Sequence, residues 1–485
     1  MKRTLLIIAA AAGLLAACNV VEDNAEMVEA RKAPDQAVNF GVYVNRGVAT
    51  KAGWAGELTT AALMTSGDGN VDGFGVFGYY TNGELYSETA RPDFMYNEKI
   101  TWDEDNDVWT YSPIKYWPNE HGANAVSEDV DRLSFFAYAP YVPVTASTGV
   151  VTGDASQGII GLSRNSATGD PMVKYVAAMT PGAAVDLCWG VDAETGEPNI
   201  DMTKQNTTEK VSFAFKHALA SLNVQIDADI DKLRDANHAD EANAIEVDAF
   251  TKVYVRSVTF EGFATKGALN LNSNANAEEG PNWYDLAGTG KLTSDVVTVY
   301  DGRRDGKEAV SQASSETPTG LNAAIIQTGA YTTTANAEHS YMYATAVAPT
   351  AGVTKTAVNL FDVAIEDPDD DDEVAAALAA PIYVIPTNEE LKVTIVYDVE
   401  TADGTLSTYL SDGKTHGSSV SNAISKSIYL DGVSGDVLKL EAGKRYELKL
   451  HLGLTSVKFE AVVTAWDDTT NASTDVNLPA NNPNE

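Results

Sequence analysis

Two thiols and six imidazoles are the most reactive side chains in this chain of 485 residues. Cys188 sits in Val185-Asp186-Leu187-Cys188-Trp189. That apolar setting reads as a small buried core residue rather than a nucleophile with a His partner. Two cysteines cannot build a disulfide framework or a four-thiolate zinc site. The histidines are scattered, so neither a metal nor a cofactor is expected. The spacings G-x-S-x-G, H-E-x-x-H and G-x-x-x-x-G-K-[ST] do not occur, and no nucleophile, base and orienting group can be read together. Gly73-Phe74-Gly75-Val76-Phe77-Gly78 matches the letters of a dinucleotide fingerprint. It lies inside a β-rich run with no helix after it, so the match is chance. Acid pairs such as Asp103 with Asp105 and Asp467 with Asp468 are unremarkable among 69 acidic residues. The chain is predicted not to be an enzyme.

The other thiol has a different chemistry. Lys2 and Arg3 precede an apolar run over residues 5–17, long enough for a signal sequence and too short to span a bilayer as a helix. The run ends Leu15-Ala16-Ala17-Cys18. This resembles a bacterial lipobox, which implies diacylglyceryl transfer to the Cys18 sulfur, cleavage before Cys18 and acylation of the new amine. Several acyl chains on one residue give stable anchoring, whereas a single chain is marginal. Residues 1–17 are therefore read as a lipoprotein signal peptide and residues 18–35 as a polar tether.

The charge balance points the same way. With 33 basic and 69 acidic residues the net charge is −36. That excludes a nucleic-acid surface and electrostatic docking on anionic lipid. The apolar fraction of 44% is sufficient for packed cores, and the length calls for more than one domain.

The elements that position these residues read as strands. Val38, Phe40, Val42 and Val44 alternate with Asn39, Gly41 and Tyr43, a period of two. A small-residue stretch containing Arg46 and Lys51 follows directly. Tyr446, Leu448, Leu450 and Leu452 alternate with Glu447, Lys449 and His451, and Leu391, Val393, Ile395 and Tyr397 alternate likewise. In the run 211–226, Phe213 and Phe215 are odd while Leu222, Val224 and Ile226 are even, which predicts a bulge or break near residues 217–220. Helical signal is confined to residues 227–245 and 373–380. The acidic block 365–373 lacks the glycine of a calcium loop and reads as a solvated loop. Trp102, Trp109, Tyr111, Tyr116 and Trp117 form either a sugar-stacking platform or a hairpin that plugs a core. The polar run 193–210 is the linker candidate, dividing the fold into domains 36–207 and 208–485. Many short strands between turn residues make the fold class all-β, built of β-sandwiches.

The segments Asp72-Gly73-Phe74-Gly75-Val76-Phe77-Gly78-Tyr79, Val108-Trp109-Thr110-Tyr111-Ser112-Pro113, Tyr116-Trp117-Pro118, Leu133-Ser134-Phe135-Phe136-Ala137-Tyr138-Ala139-Pro140 and Val211-Ser212-Phe213-Ala214-Phe215-Lys216-His217-Ala218-Leu219-Ala220 follow the lipobox in that order. Ala442-Gly443-Lys444-Arg445-Tyr446 and Val463-Thr464-Ala465-Trp466-Asp467-Asp468 close the chain. This series is similar to the fimbrillin family, the type V pilins of Bacteroidales, across nearly all the mature chain. The resemblance implies two tandem transthyretin-like Greek-key β-sandwich domains with few short helices. It also implies export to the outer membrane as a lipoprotein. A trypsin-like protease then removes the N-terminal segment, the groove accepts a strand from another pilin subunit, and the product is an extracellular fimbrium that mediates adhesion to a receptor on a host or bacterial surface.

The family often carries Thr-Arg-Ala at the cleavage point. Here the corresponding residues are Thr50-Lys51-Ala52, and the nearby arginine is Arg46, so maturation is expected after Arg46 with Lys51 as the alternative. The removable strand is then 38–44. Burying its four apolar side chains is worth on the order of 6–12 kcal/mol gross, comparable with the stability of a whole domain. A domain without it presents an open edge and empty pockets, which a donor strand refills. In the tail 471–485 only Val476 and Leu478 alternate as a donor strand would. The donor is that tail or an earlier C-terminal strand, and the subunit is a stalk, tip or anchor. The competing function is a surface glycan-binding lipoprotein using the aromatic platform.

Overall fold

The computed structural model describes residues 37–44, 60–64, 73–81, 83–118, 131–153, 156–203, 210–228, 251–301, 326–328, 332–335, 342–345, 353–355, 358–361, 370–409, 415–429, 438–452 and 457–466. The chain is all-β, as expected: three multistranded sheets, one hairpin, two short α-helices and one 3-10 turn, Pro181–Ala183, make up the regular structure of those residues.

The first sheet has the order Phe40–Val44, Val211–His217, Cys188–Asp192, Leu133–Ala139, Phe74–Tyr80, Met95–Asp103, Val108–Thr110, with Asn199–Met202 also paired to Leu133–Ala139. Its central strand, Leu-Ser-Phe-Phe-Ala-Tyr-Ala, is buried at every position. A sheet covered on both faces explains why this run does not alternate with polar residues. Phe136 and Tyr138 point into one core with Phe77, Tyr79, Trp189 and Val191. Leu133, Phe135 and Ala137 point into another with Phe74, Val76, Phe213 and Phe215.

The first of these cores is closed by the second sheet, ordered Trp283–Tyr284, Lys266–Asn270, Met172–Val176, Gly158–Leu162, Val150–Val151, Val144–Thr145, through Ile159, Leu162, Val173, Tyr175 and Leu269. This is a face-to-face sandwich. The second core is covered by a different set of pieces. These are the short helix Thr60–Met64, which contributes Leu63, and the segment carrying Trp109, Tyr111 and Trp117.

The third sheet forms the C-terminal core. Ala220–Ala228, Lys444–Leu452 and Val457–Ala465 make one half, and Thr251–Ala264, Lys392–Tyr409 and Thr415–Tyr429 the other. Ile382–Pro386 pairs with both halves and joins them. Tyr446, Leu448, Leu450 and Leu452 meet Val258, Phe260, Val393 and Ile395 inside, while Glu447 and Lys449 face solvent.

The parity change in the run 211–226 marks a change of sheet. Val211–His217 ends in the first sheet and Ala220–Ala228 begins in the third, with Ala218 and Leu219 buried at the crossing. Two pairings cross the sequence-based division between residues 207 and 208. Val211–His217 lies in the first sheet, and Lys266–Asn270 pairs with Met172–Val176 in the second. The polar run 193–210 contains the strand Asn199–Met202, paired to Leu133–Ala139, with Asn199 buried and its side-chain amide donating to the Ser212 carbonyl at 3.1 Å. Of the acidic block, residues 370–373 are described, and they open the helix expected at 373–380. Asp370 caps the helix Asp371–Ala379 by accepting from the N–H groups of Asp372 and Glu373, and the acids of the first turn complement the helix dipole. The helix candidate at 227–245 lies almost wholly outside the described residues.

Candidate functional site: the edge groove of the first sheet

Phe40–Val44 is the terminal strand of the first sheet, and among the described residues it is attached to the ladder along one side. It runs parallel to Val211–His217, with Phe40 opposite Val211, Val42 opposite Phe213 and Val44 opposite Phe215. The N–H of Val211 donates to the carbonyl of Asn39 at 2.8 Å. Its free side is held at the N-terminal end by the turn after Val108–Thr110. There the N–H of Val38 donates to Lys115 O at 2.9 Å, the Tyr111 hydroxyl donates to Val38 O at 2.8 Å, and Ala37 bridges to Tyr116. Lys115 N–H in turn donates to the Tyr111 oxygen at 3.2 Å. Tyr111 is pushed up to about 12, chiefly by its removal from water.

Val38 and Phe40 are fully buried and Val42 is half-buried. The backbone of Val44 is paired, and its side chain lies outside the described residues. Of the four apolar residues, burial is thus seen for two and part of a third. The Phe40 ring is the largest part of the plug. It lies 5.7 Å from Phe135 edge-on, 6.0 Å from Phe213 in a stack and 5.6 Å from Tyr111. Such aromatic pairs add to simple area burial.

The aromatic cluster belongs to this groove. Trp109, Tyr111 and Trp117 are buried in the core that Val38 and Phe40 complete, Trp102 is half-buried against Trp109, and Tyr116 is exposed. Its tryptophans plug a core and do not form a surface platform. Cys18, Arg46 and Lys51 lie outside the described residues.

One cluster escaped the sequence reading. Cys188 is buried as expected, but it has polar company: His217 Nδ1 lies 2.8 Å from Asp186 Oδ2 and 3.4 Å from Cys188 Sγ. Both contacts use the same ring nitrogen. A nucleophilic triad needs one nitrogen for the nucleophile and the other for the orienting acid, so this arrangement is not a proton relay. The only sequence signal was the i, i+2 spacing of Asp186 and Cys188; His217 arrives through strand pairing, Cys188 opposite His217.

Residues 59–338 match the fimbrillin-like family model. The chain belongs to the fimbrillin-like family. It is 28% identical over 209 residues to fimbrium subunit Fim1C of Phocaeicola vulgatus, an alignment covering 42% of this chain and 47% of that one, so the fimbrillin-like chain matches about half of its relative's length. A solved fimbrial protein from Bacteroides vulgatus aligns over 89% of this chain and 99% of its own, at 18% identity and a TM-score of 0.46. No helix among the described residues is long and apolar enough to cross a membrane.

Proposed function

We propose that this fimbrillin-like chain is a structural subunit of a cell-surface fimbrium, assembled by strand exchange and active in adhesion. The observation that carries the reading is the edge strand Phe40–Val44, where Val38 and Phe40 fill a core while, among the described residues, the strand pairs with the sheet along one side. A strand in that position can leave without breaking the interior ladder, and its loss exposes both backbone donors and aromatic pockets. The precursor is held at the outer membrane through lipid on Cys18. A trypsin-like protease cuts after Arg46, or after Lys51, and releases the plug together with its lipid anchor. A strand from another subunit then occupies the same groove by β-augmentation, and the subunit becomes part of an extracellular fibre. The intact chain blocks its own polymerisation.

The test is size by chromatography before and after limited trypsin. The precursor is expected to be monomeric, and the product beginning after Arg46 to form multimers that dissociate slowly because release requires local unfolding. A product that stays monomeric with unchanged thermal stability after losing residues 18–46 would show that the strand is not a plug.

A further inference from the structure

We propose that Asp186, Cys188 and His217 form a buried zinc site at the end of the groove wall. The side chains of the three residues are closed to solvent, and their donor atoms face one another. The separations are 2.8 Å for His217 Nδ1 to Asp186 Oδ2, 3.4 Å for Nδ1 to Cys188 Sγ, and 3.9 Å for Sγ to Oδ2. A point equidistant from the three atoms lies about 2 Å from each, close to the roughly 2.0–2.3 Å of zinc bonds to oxygen, nitrogen and sulfur. One imidazole, one thiolate and one carboxylate are a donor set that favours zinc over calcium or magnesium, which take oxygen ligands.

Charge favours the same occupant. A carboxylate and a thiolate together neutralise a divalent cation, so the loaded cluster is neutral in a place where an uncompensated charge is costly. On binding, the Cys188 thiol gives its proton to solvent, and the neutral His217 ring shifts its proton from Nδ1, where the Asp186 carboxylate accepts it, to Nε2, which frees the Nδ1 lone pair for the metal. No oxidation is involved. Trp466 stacks flat on the His217 ring, with centroids 4.4 Å apart and planes 1° from parallel, and Tyr383 packs on Trp466 at 5.0 Å. Zinc takes four ligands, so an ion held by these three side chains would take a water as its fourth, and the loaded site is a crosslink between strands. It fastens Cys188–Asp192 to Val211–His217, the strand whose Phe213 and Phe215 wall the edge groove, and sets both against Trp466, the residue after the strand Val457–Ala465.

The experiment uses the full chain carrying Cys18→Ser, in which Cys188 is the sole remaining thiol. It is produced in zinc-supplemented and in cobalt-supplemented medium and purified in mild detergent. The expected results are one zinc per chain by elemental analysis and, for the cobalt form, a thiolate-to-metal charge-transfer band with the intensified visible bands of tetrahedral cobalt. Prolonged chelation should remove the ion and lower the Tm by roughly 5–10 °C. Cys188→Ala and His217→Gln should each abolish the charge-transfer band. A folded parent chain that carries neither metal, with a Tm indifferent to chelator, overturns the site and leaves a hydrogen-bonded Asp–His–Cys cluster. So does a band that survives Cys188→Ala. The parent spectrum decides the matter even where the variants fail to fold.

Discussion

Truncating Phe40 is the sharpest test of the plug. Its ring is 3% exposed and meets Phe135, Phe213 and Tyr111. Phe→Ala in a packed core costs about 3–5 kcal/mol, as lost transfer energy plus the cavity left between the three partner rings. Because the strand is bonded to one neighbour, that loss should fall on strand detachment and not on the whole fold. At about 1.4 kcal/mol per power of ten, detachment should become roughly 100- to 4,000-fold more frequent. The assay is amide hydrogen exchange read on the peptide covering residues 38–44, with a peptide from Lys444–Leu452 as the internal reference. The expected outcome is exchange faster by that factor in the first peptide and unchanged in the second. Two results would refute the reasoning. Exchange at 38–44 changed less than about threefold would mean that the ring does not hold the strand. Equal acceleration in both peptides would mean that the strand opens only with global unfolding and cannot act as a removable plug.

Tyr111→Phe removes the hydroxyl that donates to Val38 O and accepts from Lys115, and should weaken the strand by about 1–1.5 kcal/mol in the same exchange assay. Alkali should act at the same point. Tyr111 is raised to about 12 by burial against an unfolded value near 10, so its contribution is intact below pH 10 and is lost as pH rises through 12. Tyr96 and Tyr397 shift in the same direction, so Tyr111→Phe should reduce but not abolish the fall in unfolding midpoint between pH 10 and 12. Gly73 has φ +88° and an added Cβ would lie 2.0 Å from Ile100 O; Gly73→Ala should lower the denaturant midpoint by the equivalent of about 1–3 kcal/mol. Cys18→Ala should leave full-length precursor without palmitate label, whereas continued labelling at the outer membrane would remove the lipid anchor. Arg46→Ala with Lys51→Ala should leave a folded monomer that trypsin no longer converts to multimers.

What the linear sequence determined was local. Alternation in 38–44, 446–452 and 391–397 is a property of an extended backbone, and it holds whatever the strand pairs with. The lipobox letters and the order of the family segments are likewise properties of the chain itself. Pairing partners are another matter. That Phe40–Val44 lies parallel to Val211–His217, that Asn199–Met202 inside a polar run is a strand, and that Lys266–Asn270 joins the second sheet depend on contacts between residues far apart in sequence. Nothing in the composition of either partner encodes such a contact. The helix at 373–380 was legible in the alanine-rich run after the acids, whereas its start at Asp371 and the capping by Asp370 were not. The buried cluster needed the tertiary structure most. Asp186 and Cys188 are two residues apart, but the histidine that makes them a site is brought opposite Cys188 by an antiparallel ladder, and the tryptophan that covers it comes from the end of the last described strand. Local periodicity carries direction without partner, so the strands could be read from the sequence while the site they build could not.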